Sequence, residues 1–352
     1  MIFTSDNAVG VSPEILEALT RVNGGGAASY GADDITKGLD EKFSTLFERE
    51  VAVFPVATGT AANSLALATL TPPYGSIYCH AFAHVNVDEC GAPEMFSGGA
   101  KLVGLPGAGG KIDADALSAN LAIPRKGDVH QVVPSALTIT QSNESGGVYS
   151  LAEIRGLTEV VHRYGLSTHM DGARFANALV SLGCTPAEMT WKSGVDVLSF
   201  GATKNGAMAA EAVVFFDPAR AADFVYRRKR AGHLFSKMRF LSVQLEAYIE
   251  NDLWLRNARH ANAMAKRLGE GLAATEGLVM ASAVEANEVF VRLPVATFKR
   301  LLASEAQFHP WQNADDAAEG HQRQTIRLVT SFATTEDEVS RFLALVQPSV
   351  KA

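Results

Sequence analysis

Between residues 51 and 216 short apolar runs alternate with longer stretches of helical periodicity, and this alternation sets the expected fold. Residues 51–56 (VAVFPV) predict a strand and 61–70 a helix, while 76–79 and 101–105 predict two more strands. Residues 135–140 predict a strand ahead of an amphipathic helix over 151–164; strands at 166–170, 195–198 and 212–216 complete the series. Such alternation builds a mostly parallel sheet covered by helices, with ligands gathering at the carboxyl ends of its strands. After residue 217 the pattern changes. A helical region over 219–274, broken near Gly232, carries the strongest apolar periodicity of the chain. Shorter pieces follow at 288–293, 298–304, 325–329 and 336–346. The expected class is α/β: a large domain over residues 1–250 with the central sheet, and a smaller α+β domain over 251–352 that closes on it. There is no internal repeat, and the Gly24-Gly25-Gly26 run before Tyr30 reads as an active-site loop rather than a linker.

Composition narrows the partners. At 352 residues the chain exceeds one ordinary core. Its net charge of −7 argues against nucleic acid, which needs a basic footprint. Arg227-Arg228-Lys229-Arg230 is the local exception, either a solvated helix face or a phosphate-binding or subunit-contact patch. Three cysteines (Cys79, Cys90, Cys184) cannot make a disulfide framework, and no secretory segment opens the sequence. The apolar stretches fall far short of the ~20 residues that a membrane span requires. A cytoplasmic setting without membrane or nucleic-acid partners is expected.

The chemistry centres on Lys204, in the run VLSFGATKNG over 197–206, and on Asp171, 33 residues upstream in LSTHMDGAR over 166–174. A lone lysine is usually a surface residue. An acid and a lysine that each end a strand-like run suit pyridoxal phosphate: the amine holds its aldehyde as a Schiff base, and the carboxylate keeps its pyridine nitrogen protonated. Thr58-Gly59-Thr60-Ala61-Ala62-Asn63 lies where a strand becomes a helix. Gly59 and Thr60 there could hold a phosphate, or Thr60 could be an ordinary cap. The run from Cys79 to Cys90 is dense in potential ligands, and His80, His84 and Asp88 have helical spacing that suits a metal. The run is expected to cross a strand end, a loop and a helix start, which breaks that register. His84 then suits stacking over the cofactor ring, and His80 a local hydrogen bond. His130 is either structural or close to a substrate hydroxyl. Arg174 and Arg327, one in each expected domain, would together clamp a carboxylate; the alternative for Arg327 is a surface ion pair.

These segments, with Ser5-Asp6-Asn7, Tyr30-Gly31, Asp88-Glu89-Cys90-Gly91-Ala92, Arg227 through His233 and Ile326-Arg327-Leu328-Val329-Thr330-Ser331, resemble one family over essentially the full length. It is the pyridoxal-phosphate-dependent low-specificity threonine aldolases of aminotransferase fold type I, and the chain looks closest to their bacterial phenylserine aldolase branch. The resemblance implies that Lys204 bears the cofactor, Asp171 pairs with its ring nitrogen, His84 stacks on the ring, and Gly59 and Thr60 hold the phosphate. It gives the substrate carboxylate to Ser5, Arg174 and Arg327. It also implies dimers paired into tetramers, in which Tyr30 and Arg228 reach into a neighbour's site. One departure stands out: Gln141-Ser142-Asn143-Glu144 replaces the Glu-Asn-Thr run of many members, which reopens which side chain meets the cofactor's phenolic oxygen.

The implied reaction is retro-aldol cleavage of L-β-hydroxy-α-amino acids (L-threonine, L-allo-threonine, L-phenylserine) to glycine and an aldehyde. His84 or His130 would serve as the base, directly or through water. The rivals are a β-eliminating lyase or transaminase on the same fold, a metal-dependent lyase built on His80, His84 and Cys90, and a binding module without catalysis.

Overall fold

Seven strands make the central sheet of the computed structural model, which describes residues 1–123, 127–311 and 322–347. In chain order they are β1 (Ala52–Val56), β2 (Gly75–His80), β3 (Lys101–Leu105), β4 (Val133–Thr140), β5 (Ser167–Gly172), β6 (Val197–Gly201) and β7 (Glu211–Phe215). Their order across the sheet is β1-β7-β6-β5-β4-β2-β3, and β7 alone runs against its neighbours. β2, β6 and β7 are buried along their whole length, as strands covered on both faces must be. The expected strands are therefore present, shifted at their ends by up to two or three residues.

The helix Gly59–Leu70 follows β1 and is buried on nearly every side. Its small side chains (Ala61, Ala62, Ser64, Ala66, Ala68) let it lie directly against the sheet. The helix Leu151–Arg163 carries a reciprocal cap: Ser150 accepts from the Glu153 backbone while Glu153 returns a bond to Ser150 N–H.

Beyond β7 the expected helical region is more broken than its periodicity predicted. It divides into Phe224–Arg230, Arg239–Ile249 and Leu253–Ala273. The first break contains Gly232, as expected. The second falls at Asn251 and Asp252, both left-handed (φ 50° and 55°). Short polar side chains tolerate that region, and apolar periodicity does not register it.

A second sheet is antiparallel, with order β10-β11-β9-β8: β8 (Val279–Met280), β9 (Glu288–Pro294), β10 (His309–Trp311) and β11 (Arg323–Val329). Val289, Val291, Leu293, Ile326 and Leu328 point into a second core with Leu268, Leu301 and Phe342. The alternating residues Phe290 and Arg327, which are register partners, belong to the opposite face. Leu253–Ala273 joins the two cores, giving Trp254 and Ala258 to the first and Met264, Ala265 and Leu272 to the second. The amino terminus also joins the smaller core, through Phe3.

Candidate active site

The parallel strands present their carboxyl ends along one edge of the sheet. Thr58 and Gly59 follow β1, His84 follows β2, Ser142 follows β4, Asp171 lies near the end of β5, and Lys204 follows β6. All of these except Thr58 line one cavity of about 470 Å³, together with Ser5, Thr60, Asn63, Glu89, Glu144, Arg174, Trp311 and Arg327. A parallel sheet brings its loops to the same side, and the amino-terminal segment with Ser5 and the second sheet with Trp311 and Arg327 complete the cavity wall. Lys204 sits on a 3₁₀ turn, Thr203–Asn205, closed by Gly206 at φ 122°. A Cβ on Gly206 would fall 2.2 Å from Ser12 Oγ, so this tight turn requires glycine.

Asp171 is buried and fully engaged on its protein side. Oδ1 accepts the Ala173 N–H at 2.9 Å, and Oδ2 accepts Asn63 Nδ2 at 2.9 Å. The same Asn63 amide donates to Glu89 Oε1 at 2.9 Å, and that oxygen also meets His84 Nδ1 at 2.9 Å. Four side chains from three chain segments thus form one network: Asp171–Asn63–Glu89–His84. The Glu89 carboxylate raises the pKa of His84, outweighing burial, while burial raises that of Glu89. The His84 backbone N–H donates to Glu144 Oε1 at 2.8 Å.

At the far end of the cavity Arg174 is held by Asp6, through Nε to Oδ2 (2.8 Å) and Nη2 to Oδ1 (3.1 Å). Asn287 donates to Asp6 Oδ2 at 3.0 Å. Arg327 lies with its guanidinium 4.8 Å from the Trp311 ring centre and 3.9 Å from Glu288 Oε1. Glu288 is buried, both its oxygens lack hydrogen bonds, and burial raises its pKa. Two guanidinium groups thus share one wall. Arg174 reaches it with only Nη1 uncommitted to protein among the described residues, and Arg327 with a buried, unbonded Nε.

A model of the "Beta-eliminating lyase" family matches residues 3–295. A "Low specificity L-threonine aldolase" of a Pseudomonas species is 41% identical over 99% of this chain and 98% of its own. Another, from Pseudomonas aeruginosa, is 44% identical over 87% and 88%. The solved threonine aldolase of Leishmania major superposes with a TM-score of 0.89 at 28% identity, covering 98% of both chains.

The chain belongs to the beta-eliminating lyase family. Its architecture is fold type I of the pyridoxal phosphate enzymes, and the family and fold imply that cofactor.

The residues present in this family member fit the group. Thr58 caps the helix Gly59–Leu70 by accepting from Ala61 N–H at 3.2 Å. The cap is therefore Thr58 and not Thr60, and Gly59 and Thr60 line the cavity at the helix amino terminus. A Cβ at Gly59 would meet nothing within 4 Å, so there is open space against the backbone for a phosphate. Ser142 Oγ is buried in the cavity wall without a hydrogen bond. An acceptor such as a phenolic oxygen would satisfy it, which makes Ser142 the candidate for that contact in the Gln141–Glu144 run.

Other expected site residues lie elsewhere. His130 is exposed and precedes β4, whose eight residues separate it from the catalytic edge by about 23 Å at ~3.3 Å per residue. Within this chain His130 does not line the cavity, so its expected role as base has no support from its own subunit. Tyr30 is 52% exposed and stacks against Lys229, whose ammonium lies 4.6 Å from its ring centre. Arg228 is buried over Phe54, 5.2 Å from the ring centre, and burial brings its pKa down to about 10. Neither residue lines the cavity of its own chain. His80 places Nε2 3.1 Å from Gly107 O, and its Nδ1 accepts the Phe82 N–H, so both nitrogens are engaged locally, as expected. Among the described residues no group of three or more His, Cys, Asp or Glu is arranged to hold a metal.

The sequence reading passed over Asn63, Glu89 and Glu288 as site residues, and Asp6 and Trp311 with them. A signal existed for some: Glu89 and Asp6 lie inside motifs that carried the family resemblance.

Proposed function

We propose that this chain is a pyridoxal-phosphate-dependent aldolase that cleaves L-β-hydroxy-α-amino acids to glycine and an aldehyde. The observation that carries the reading is one cavity holding the Lys204 amine, the Asp171 carboxylate and two guanidinium groups. When bound, pyridoxal phosphate supplies an aldehyde that condenses with amines and a ring that accepts the electron pair released at Cα. Lys204 would hold that aldehyde, Asp171 the ring nitrogen, Gly59 and Thr60 the phosphate, and Ser142 the phenolic oxygen. His84, held through Nδ1 by Glu89, would cover the ring. Arg327 and Arg174 bind the substrate carboxylate, and by fixing that group they decide which bond at Cα breaks.

A neighbouring cavity of about 620 Å³ supports a finer reading of the substrate range. It shares Asp88, Glu144, Pro310 and Trp311 with the first and adds Phe82, Val87 and Phe290. An apolar, aromatic-lined space of that size supports a bulky β-substituent, and phenylserine as well as threonine as substrate. Such a pocket discriminates weakly, at about 1–3 kcal/mol per methylene.

We also read the chain as a tetramer with shared sites, because Tyr30 and the Arg228 segment serve no site in their own subunit. The three unpaired cysteines support a cytoplasmic setting, and no helix among the described residues is long and apolar enough to cross a membrane.

The test is a product assay with threonine and phenylserine on the cofactor-loaded protein, with absorbance recorded before and after glycine. Glycine plus aldehyde, with a glycine-dependent spectral change, is expected. Ammonia plus a keto acid would instead assign a β-eliminating activity.

A further inference from the structure

Glu144 has no part in the roles above, yet it stands where the two cavities meet. It comes four residues after β4, lines both spaces, and accepts the His84 backbone N–H at 2.8 Å. Charged groups face it from several elements: Asp171 at the end of β5, His84 on its short helix, and Arg174 beyond Asp171. Cys79 and Tyr149 lie on its buried side. Burial first, and then the Asp171 charge, pushes the Glu144 carboxyl up to about 7. At neutral pH it is therefore present in both protonation forms, the condition for efficient proton transfer in either direction. His84 is different. Its Nδ1 is bound to Glu89, which holds the imidazole protonated to higher pH, so it is suited to covering the ring rather than to accepting a proton.

We propose that Glu144 takes the β-hydroxyl proton during cleavage and returns it in the direction of synthesis. The proposal rests on the aldolase reading above. A substrate with its carboxylate on Arg327 and its amine beside Lys204 sends its β-substituent toward the apolar cavity. Glu144 and Asp88 are the titratable groups shared by the two spaces. Asp88 is exposed, so water competes for it, whereas Glu144 is half-buried in the wall shared by the two cavities.

The step balances without an oxidant or reductant. A Glu144 oxygen forms an O–H bond, and the former hydroxyl O–H pair becomes the π bond of the aldehyde carbonyl. The Cα–Cβ pair passes to Cα, which gains a proton to give glycine. Glu144 releases its own proton to solvent, equal to the one that Cα receives.

The experiment compares cofactor-loaded wild type with Glu144→Gln and Glu144→Ala. Glycine affinity is read by absorbance titration, and cleavage of phenylserine by aldehyde release between pH 5.5 and 9. Wild-type kcat/KM falls on the acid side with a midpoint near the Glu144 value, because the carboxylate must be ionised. Glu144→Gln keeps glycine affinity within threefold, lowers kcat by roughly 10²–10⁴ and loses that limb. Glu144→Ala regains part of its rate with added formate. The proposal is overturned if the Gln variant keeps kcat within threefold and the same acid limb. It is equally overturned if glycine affinity falls as far as cleavage, since Glu144 would then act only by holding His84. If glycine leaves the wild-type spectrum unchanged, the aldolase reading itself fails, and this proposal with it.

Discussion

Replacing Asp171 with Asn tests the deepest part of the site with a change of one charge and almost no volume. In the native protein Oδ1 accepts from Ala173 N–H and Oδ2 from Asn63 Nδ2, each at 2.9 Å. A carboxamide has one accepting and one donating end, so one of these donors must face another donor. Asn63 can turn its amide over, because its Oδ1 is buried without a partner. The turn, however, removes Nδ2 from Glu89 Oε1. Every arrangement leaves one buried polar atom unpaired, which costs about 1–3 kcal/mol. At roughly 2–4 °C per kcal/mol for chains of 150–250 residues, the melting temperature falls by several degrees at most, and the fold survives.

The functional loss is separate. A charge-assisted hydrogen bond to a ring nitrogen is worth about 1.5–3 kcal/mol net, which corresponds to roughly 10- to 150-fold in cofactor retention or turnover. The substitution also removes a negative charge that raises the pKa values of both Glu144 and Glu89. The acid limb of kcat/KM therefore moves to lower pH. Aldehyde release across pH, cofactor dissociation by absorbance and a thermal melt read the three effects. Near-native turnover with an unmoved limb would refute the role of Asp171 and the electrostatic coupling together.

Arg327→Leu removes the guanidinium over Trp311 and one arm of the carboxylate clamp. It lowers kcat/KM roughly 10- to 150-fold, mainly through KM; unchanged kinetics would take Arg327 out of the substrate site. His169 is buried between Thr138 Oγ1 and Ser199 Oγ, each 2.9 Å away, and burial brings its pKa down to about 4. An unfolded histidine takes its proton near pH 6.5, well before the native one, so this contribution is complete above pH 6.5 and is lost as pH falls toward about 4. One proton is worth at most ~1.4 kcal/mol per pH unit over that window. His169→Gln flattens the acid limb of stability measured by denaturant titration, and an identical slope in both proteins would exclude His169 as its source.

The sequence exposed those parts of the site whose chemistry is rare and local. Lys204, Asp171, Gly59 and His84 each follow or end a strand, and short apolar runs located those strands well enough to put all four on one edge. His130 precedes its strand, which places it away from the edge that carries those four in its own chain. Trp311 escaped notice for a different reason. Its strand is three residues long and contains Pro310, which reads against a strand, yet β10 is an edge strand, where proline is tolerated.

The acids were hidden by a more general cause. Glu288 looks like an ordinary surface glutamate in a chain with 38 acidic residues, and Glu89 and Glu144 lie in notable runs that give neither a role of its own. What marks them is burial, and burial is a property of where strands from distant segments end. Asp6 and Glu288 stand 282 residues apart in sequence and meet only through Arg174. Glu144 becomes titratable near neutrality because Asp171 from the adjacent strand lies near it as the cavity walls exclude water. The same enclosure that would let Asp171 hold a cationic ring thus raises the pKa of the neighbouring carboxyl. One parallel register therefore places the proposed electron sink beside the proposed proton acceptor.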